Sequence, residues 1–330
     1  MKLTRDTPVR VGFVGAGAVA TRHAATLRTF PDVRLVAVAD PEIERARALA
    51  AGWRAAVHID VRDMLRQQEP DALYICVPPF AHGEPEAAAL DAGVPFFVEK
   101  PLACDVTTAE HIADAVARSG LVTAVGYHWR YLDTVQQAAE LLQSRPPRLA
   151  LGYWLDKVPP PAWWSLRANS GGQVVEQATH VLDLARVLVG EVTEVSAIAA
   201  QTPRTAYPDA DVDDVSAATL RFAGGAVGTL AATCLLDWKH QACLQVFADG
   251  LAIEVSESNM TVDTGDGRVE VQPQVDAKRR ADRAFVDAVR GVAERVRTPY
   301  AEALLTHRLA CSIARAAEER RPVLVGGDGG

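Results

Sequence analysis

The first 126 residues alternate short apolar runs with alanine-rich stretches, and this alternation restricts the possible fold more than any other feature. The runs RVGFVG, VRLVAVAD, ALYICV, VPFFVE and VTAVG are each about as long as a strand that is buried on both faces. Strands that alternate with helices form a parallel sheet covered on both sides. We therefore expect a doubly wound α/β domain, whose ligands bind outside the carboxyl ends of its strands.

Residues 127–330 have a different pattern. A helical stretch, LDTVQQAAELLQ, is followed by the proline- and tryptophan-rich segment PPPAWWSLRANSGG and by a predicted long helix over Val174–Val189. The stretch AATLRFAGGAVGTLAATCLL then predicts two strands joined at AGG, and β-type sequence continues beyond it. Because 330 residues exceed what one core usually spans, we expect domains at 1–126 and 127–330, the second with a largely antiparallel sheet.

The charge composition argues against several classes of partner. The chain carries 34 Lys and Arg against 42 Asp and Glu, a net charge of −8, and has no basic stripe of the kind that binds phosphate backbones. We therefore expect neither nucleic acid nor a membrane as a partner, and we expect neither a targeting segment nor a membrane-spanning segment. The five cysteines form no C-x-x-C pair, which favours reduced thiols in the cytoplasm over disulfides or a thiolate metal site.

A glycine-rich turn, Gly15-Ala16-Gly17-Ala18-Val19-Ala20, follows the first apolar run and begins a helical stretch. In a G-x-G-x-x-A turn of this kind, the first glycine permits the tight turn and the second lets a pyrophosphate approach the backbone. The alanine keeps the helix close to the sheet, and the first N–H groups of the helix bind the phosphates. The pattern predicts a dinucleotide site, although a βα turn that binds nothing would have the same glycines.

Asp40 ends the second apolar run, twenty residues beyond Ala20, where an acid that binds the adenosine ribose is expected. It also suits a structural role, because Asp40-Pro41-Glu42 is a good start for the following helix. The two roles are compatible. Since Asp40 and Glu42 would repel a 2′-phosphate, we predict NAD rather than NADP as the cofactor.

Lys100 and Pro101 follow the apolar run FFVE, at an expected strand end. A lysine at such a position is usually only solvated. Here Pro101 permits a cis peptide, and an ammonium group near a hydride-transfer centre could polarise a hydroxyl or stabilise an alkoxide. The residues alone leave both interpretations open.

Three polar residues, Glu176, His180 and Asp183, share one face of the predicted helix at about 100° per residue. They could form a solvated polar face, or the first two could chelate a metal, although no third ligand is indicated by the spacing. In a catalytic interpretation, His180 is a base, Glu176 binds a hydroxyl group, and Gly171-Gly172 lets the backbone approach the substrate. The sequence predicts no metal centre.

These motifs together resemble the Gfo/Idh/MocA family, named for glucose-fructose oxidoreductase and inositol dehydrogenase. The resemblance covers nearly the whole chain and is carried by the glycine turn, Val77-Pro78-Pro79 with His82, Glu99-Lys100-Pro101, and Gly171-Gly172 followed by Glu176, His180 and Asp183. It implies an N-terminal Rossmann domain that binds NAD(P). It also implies a C-terminal α+β domain whose open antiparallel sheet supplies the substrate site and forms a homodimer or homotetramer.

The resemblance further implies residue roles and a reaction. It makes Lys100, His180 and Glu176 catalytic in the reversible oxidation of a secondary alcohol of a sugar, polyol or sugar derivative, with the hydroxyl proton passing to His180. The implied cofactor residues are Gly15, Gly17, Ala18, Val19, Ala20, Asp40, Val77, Pro78, Pro79, His82, Glu99 and Lys100. The implied substrate residues are Lys100, Tyr127, Arg130, Trp163, Glu176 and His180.

One departure from the family pattern bears on the substrate. The inositol dehydrogenases of the family have Asp where this chain has Glu176, and the extra methylene moves the carboxylate by about one bond length. Inositol is therefore not transferred as the substrate. Two alternatives also remain: a redox-neutral glycosidase or lyase that uses bound NAD, and a non-catalytic NAD-binding protein.

Overall fold

The computed structural model describes residues 7–292 and 296–326. They form two compact units. The first comprises residues 7–103, Thr107–Gly126 and Lys278–Ala303, and the second comprises Cys104–Val106, Tyr127–Ala277 and residues 304–326. The longest segment of the second unit begins at Tyr127, directly after Gly126.

The first unit contains a parallel sheet of six strands within the described residues, in the order β3-β2-β1-β4-β5-β6. The strands are β1 (Val9–Val14), β2 (Val33–Ala39), β3 (Ala56–His58), β4 (Ala72–Ile75), β5 (Phe96–Val98) and β6 (Thr123–Val125). Between them lie α1 (Ala18–Leu27), α2 (Ile43–Ala51), α3 (Val61–Gln68), α4 (Glu84–Asp91) and α5 (Val106–Ser119). The predicted doubly wound α/β fold is confirmed. Only β3 lacked a sequence signal, because it is three half-buried residues at the sheet edge.

The second unit contains a nine-stranded sheet within the described ranges, in the order β14-β13-β12-β11-β7-β10-β9-β8-β15. All strand pairs are antiparallel except β7 with β10, so the predicted largely antiparallel sheet is confirmed. Its helices are α6 (Asp133–Leu142), α7 (Arg167–Ser170) and α8 (Thr179–Leu188). Its first eight strands are β7 (Leu149–Leu155), β8 (Val192–Ala200), β9 (Val215–Phe222), β10 (Val227–Thr233), β11 (Gln241–Ala248), β12 (Leu251–Ser256), β13 (Met260–Asp263) and β14 (Arg268–Val271).

The C-terminal segment contains α9 (Ala277–Val289), α10 (Tyr300–Glu319) and the short strand β15 (Val323–Leu324). Lys278–Ala303 joins the first unit, whereas the sequence had assigned all of 127–330 to the second domain. The physical reason is aromatic packing by α9. The ring of Phe285 lies edge-on to Tyr74 at 5.5 Å and to Phe97 at 5.8 Å, both on strands of the parallel sheet.

Helix α8 packs directly on β7, and this contact positions the polar residues of the helix. A Cβ at Gly152 in β7 would lie 2.8 Å from Cγ1 of Val181, so only glycine permits this approach. The helix begins later than predicted, because Val174–Ala178 forms a π-helical turn before α8. No helix in the described part of the chain is long and apolar enough to cross a membrane.

Candidate active site

Gly15 lies where the ends of three neighbouring strands converge. Its N–H donates a hydrogen bond to the carbonyl oxygen of Ala39 at 2.8 Å. Its φ is +84°, and a Cβ at this position would lie 2.3 Å from the carbonyl oxygen of Cys76. Both the backbone conformation and the available space therefore require glycine. The tight turn that the sequence predicted has a direct steric cause.

Gly17 is different, because the protein itself does not require glycine there. A Cβ at Gly17 would meet no atom within 4 Å, and the residue precedes α1 without any side-chain cap. Ala18 and Val19 are exposed, whereas Ala20 is fully buried against the sheet. The open backbone at the helix N-terminus has the space and the donors that a dinucleotide pyrophosphate needs, so these residues fit NAD.

Asp40 is buried, and both of its carboxylate oxygens accept backbone hydrogen bonds. Oδ2 accepts from the N–H of Ala16 at 2.8 Å, and Oδ1 accepts from the N–H of Glu42 at 2.8 Å. The carboxylate therefore fixes the glycine turn and the start of α2. Arg45 pairs with Glu42 at 2.9 Å, so Asp40 alone is left to repel a 2′-phosphate.

The Val77-Pro78-Pro79 turn follows β4, and His82 lies just beyond it. His82 is buried, with Nδ1 2.6 Å from Oε1 of Glu86, while Oε2 of Glu86 accepts from the N–H of Gly83 at 2.6 Å. The buried His82–Glu86 pair therefore stabilises the first turn of α4. The predicted cofactor contact of His82 stays a prediction.

Lys100 follows β5 at the carboxyl edge of the parallel sheet, the same edge as the glycine turn after β1. The Lys100–Pro101 peptide is cis, as Pro101 permits. Lys100 is half-buried, and its neighbour Glu99 points into the unit, with a side chain that is 12% exposed. The turn therefore presents an ammonium group beside a carboxylate that is held inside.

In the second unit, His180 lies in a box of aromatic rings. Its imidazole stacks on Trp129 at 5.6 Å and on Trp154 at 5.9 Å, with interplanar angles of 15° and 22°. Tyr127 and His128 approach it edge-on at 5.9 and 5.3 Å. The two indoles lie 6.2 Å from each other, so the three rings form a triangular cluster of nearly parallel rings. These contacts restrict the orientation of the imidazole, which is what a directed proton transfer requires.

Glu176 lies on the π-helical turn, one turn before His180. Its Oε2 accepts a 2.8 Å hydrogen bond from Nε1 of Trp164, which is fully buried. Gly171 and Gly172 precede the turn with φ values of +76° and +88°. An ionised carboxylate has about four acceptor positions, so the hydrogen bond from Trp164 is compatible with a second one from a substrate hydroxyl group.

The solvated-face interpretation of this helix is wrong, because His180 is 7% and Asp183 is 1% exposed. Asp183 forms a bidentate ion pair with Arg130, at 2.6 and 2.8 Å, and accepts from the hydroxyl of Thr306 at 2.7 Å. The ion pair ties the helix to the segment before α6. The predicted substrate contact of Arg130 stays a prediction, and in this structure the guanidinium is bound to Asp183.

Two further predicted substrate residues have mainly structural contacts. The hydroxyl of Tyr127 bonds with Oγ1 of Thr179 at 2.7 Å, and burial raises the pKa of Tyr127. Trp163 is partly buried against a cluster of Val158, Trp164, Val212 and Cys234. Tyr127 thus supports the His180 ring, and both substrate assignments stay predictions.

The sequence did not reveal the residues that contact the predicted site residues and fix their positions. Trp129 and Trp154, which stack on His180, were not assigned a role, although the alternation in LALGYWL could have placed Trp154 on the buried face of a strand. His23 and Asp282 also went unassigned. Asp282 lies among Ala281, Phe285 and Val286 on the buried face of α9. An acidic residue on an apolar helix face indicates a buried carboxylate with a partner, so the sequence pattern could have identified it.

The geometry does not favour chelation of a metal ion by Glu176 and His180. Within the described ranges, no group of three or more His, Cys, Asp or Glu side chains is arranged to hold a metal ion. Glu176 instead bonds with Trp164, and His180 packs among aromatic rings. The arrangement suits proton transfer and hydroxyl binding.

Two family models match the chain. The model described as "Oxidoreductase family, NAD-binding Rossmann fold" matches residues 9–127, and the GFO/IDH/MocA C-terminal domain matches residues 138–254. Among solved structures, levoglucosan dehydrogenase in complex with NADH superposes with a TM-score of 0.87 at 22% identity. The match covers 97% of this chain and 99% of that one. This likeness shows the shared fold.

Two curated relatives are similar over part of their length. The uncharacterized oxidoreductase YrbE of Bacillus subtilis (strain 168) is 26% identical over 227 residues, or 66% of this chain and 65% of the relative. The D-glucoside 3-dehydrogenase of Escherichia coli (strain K12) is 32% identical over 193 residues, or 56% of this chain and 55% of the relative. The chain thus spans less than two thirds of either relative.

Proposed function

The chain belongs to the GFO/IDH/MocA oxidoreductase family, whose N-terminal domain is an NAD-binding Rossmann fold, and from this premise we propose a specific activity. The proposed activity is the reversible, NAD-dependent oxidation of a secondary alcohol on a sugar, polyol or sugar derivative. The observation that carries it is the position of Lys100 at the carboxyl edge of the parallel sheet. In the strand order β1-β4-β5, Lys100 is two strands from the open glycine turn, and doubly wound sheets bind nucleotide and substrate at that edge.

NAD would be held by the open backbone at Gly17–Ala20 and by Asp40, and it supplies the hydride acceptor at nicotinamide C4. The chain's own residues then handle the proton and the substrate oxygen. His180 accepts the hydroxyl proton in oxidation, Lys100 stabilises the developing negative charge on oxygen, and Glu176 binds a neighbouring hydroxyl group. General base catalysis of this kind contributes roughly 10²–10⁴-fold in rate.

The substrate class is supported by the similar protein that is named D-glucoside 3-dehydrogenase. The test is a screen of polyols, aldoses, alkyl glucosides and acidic sugars for NADH formation at 340 nm. We expect NADH to accumulate with at least one of them. Conversion of a sugar without accumulation of NADH would instead support the redox-neutral alternative, and NAD binding without any conversion would support the non-catalytic one.

We expect NAD to bind at least about tenfold more tightly than NADP, a difference of roughly 1.4 kcal/mol. The reason is the buried carboxylate of Asp40, which would repel a 2′-phosphate. Tryptophan fluorescence titrations with both cofactors measure the ratio. Equal affinities would mean that Asp40 serves only to fix the glycine turn and the start of α2.

We expect the activity to survive incubation with EDTA, because Glu176 and His180 serve in hydroxyl binding and proton transfer in this account. The measurement is the rate of NADH formation before and after chelation and gel filtration. Inactivation that added zinc reverses would contradict the assignment of this helix to proton transfer.

The sheet of the second unit also supports a proposal about assembly. Three large apolar side chains on one face of its strands are strongly exposed: Ile198, Val227 and Leu324, at 78, 53 and 63%. Exposed apolar side chains of this kind are typical of interaction surfaces. We propose a homodimer or homotetramer formed through this sheet. Light scattering is expected to give two or four chain masses, and a monomer would contradict the proposal.

A further inference from the structure

A groove in the first unit lies at the amino ends of β1, β2 and β3, and three arginines line it. Arg10 is the second residue of β1, Arg34 is the second residue of β2, and Arg54 precedes β3 by two positions. The groove has a volume of about 560 Å³, which is the size of a small-molecule site. It lies at the edge of the sheet opposite to the one that carries the glycine turn and Lys100.

Arg10 and Arg34 lie side by side in the sheet. They are register partners in the parallel pairing of β1 with β2. Register partners project from the same face of a sheet, and neighbouring strands are roughly 4.8 Å apart. Like charges at directly neighbouring positions destabilise a sheet. This pair of cations therefore lowers the stability of the fold unless an anion binds beside it.

The protein fixes the position of Arg10. The half-buried guanidinium donates to the carbonyl oxygen of Glu69 at 2.8 Å and to that of Gln68, both at the C-terminal end of α3. A guanidinium has five N–H donors, so these two hydrogen bonds are compatible with others to a ligand. The groove thus has one cation that is already oriented.

Arg54 has a backbone conformation that favours glycine. Its φ is +57°, in the left-handed region where a side chain causes strain. The nearby Gly52 does not use this freedom, since its φ is −69°. Strained residues of this kind cluster at binding and active sites. Two separate costs, the strain at Arg54 and the repulsion between Arg10 and Arg34, therefore fall on the same groove.

The described residues that line the groove include no acidic side chain. Arg34 and Arg54 are exposed, and their side chains form no ion pair or hydrogen bond with the described part of the chain. Three arginines without a carboxylate contrast with the net charge of −8 of the whole chain. The apolar part of the wall consists of Pro8, Leu35, Val36, Ala55 and Ala56.

We propose that this groove binds the phosphate group of a small phosphorylated molecule. The planar guanidinium group matches the geometry of phosphate oxygens, and its charge-assisted hydrogen bonds are among the strongest in proteins. A phosphate dianion beside Arg10, Arg34 and Arg54 offsets the repulsion between the cations. The site is separate from the proposed oxidation, because the two lie at opposite edges of the parallel sheet.

The test uses phenyl phosphate, which combines a phosphate group with an apolar ring. It is titrated calorimetrically into protein saturated with NAD, so that the glycine turn is occupied, in chloride buffer of constant ionic strength. We expect one site per chain. Arg34→Gln and Arg54→Gly are each expected to weaken binding by roughly tenfold or more, because each loses a charge-assisted hydrogen bond to phosphate.

Thermal unfolding without phenyl phosphate gives a second readout. Arg34→Gln removes the repulsion with Arg10, and Arg54→Gly removes the strain of the left-handed conformation. We therefore expect both variants to unfold at a higher temperature than wild type and yet to bind phenyl phosphate more weakly. A higher unfolding temperature with unchanged binding would contradict the proposal and assign these arginines to the surface alone.

The matched control is Arg118→Gln, which changes an exposed arginine in the last turn of α5, in the same unit. It should retain the wild-type affinity for phenyl phosphate. Equal affinities in wild type and all three variants, or no binding beyond that seen with sodium chloride, would overturn the proposal. Failure of every sugar in the screen would leave this result intact, because binding is measured without a sugar.

Discussion

Replacement of Lys100 by Met and of His180 by Ala is expected to lower kcat by on the order of 10²–10⁴-fold each, while the affinity for NAD stays nearly unchanged. Lys100→Met removes the cation that stabilises the substrate oxygen, and His180→Ala removes the base. Neither residue contributes to the open glycine turn at Gly15–Ala20. The measurement pairs steady-state rates of NADH formation with fluorescence titration of NAD.

Two surface residues supply the controls. Lys157 and His240 are exposed, and Lys157→Met and His240→Ala should retain wild-type rates. A His180→Ala enzyme with full activity and an unchanged pH profile would show that His180 is not the base. Lys100 or a solvent relay would then have to accept the proton.

The second large effect concerns stability at alkaline pH. The buried His23 ring has Nδ1 2.6 Å from Oδ1 of Asp282 and Nε2 2.9 Å from Oε1 of Glu99. Burial lowers the pKa of His23, but the two carboxylates outweigh burial and raise the pKa from 6.5 to about 9. The ion pairs therefore contribute fully below pH 6.5 and are lost as the pH rises through 9. The expected loss of unfolding free energy is about 3 kcal/mol, from 1.36 kcal/mol per pKa unit. Chemical denaturation of wild type and His23→Gln between pH 6 and 10 measures it, and the two proteins should converge toward pH 10.

The pKa values of the two neighbouring carboxylates are shifted in opposite directions. Burial raises the pKa of Asp282, and its pairing with His23 only partly offsets that cost. Glu99 has its pKa lowered from 4.5 to about 2, so its contribution is present above pH 4.5 and is lost as the pH falls toward 2. A stability difference between wild type and His23→Gln that is independent of pH from 6 to 10 would contradict the assignment of an imidazolium.

The fold was predictable from the sequence wherever one local pattern sufficed. Apolar runs separated by helices identified five of the six parallel strands, and Ala223-Gly224-Gly225 identified the hairpin between β9 and β10, where Gly225 donates to the carbonyl of Phe222. The place of Lys278–Ala303 was not predictable. It depends on the packing of Phe285 on Tyr74 and Phe97, about 200 residues earlier in the chain.

The candidate site was predictable in its motifs but not in its contacts. The helical spacing correctly placed Glu176 and His180 close together. Nothing in the residues indicates that Glu176 lies on a π-helical turn, before the regular helix that holds His180. Periodicity also could not distinguish a solvated face from a buried one. Asp183 is buried because Arg130 neutralises it, and such a pairing across 53 positions leaves no local signal.

Deuterium tracing tests the central claim most directly. The enzyme is incubated with NAD and glucose deuterated at every ring carbon, or the equivalent form of the sugar found in the screen, and both products are analysed by mass spectrometry. We predict one deuterium in the NADH formed and one fewer in the oxidised sugar, with neither change in Lys100→Met. Conversion of the sugar with all deuterium retained and no labelled NADH would contradict hydride transfer to free cofactor.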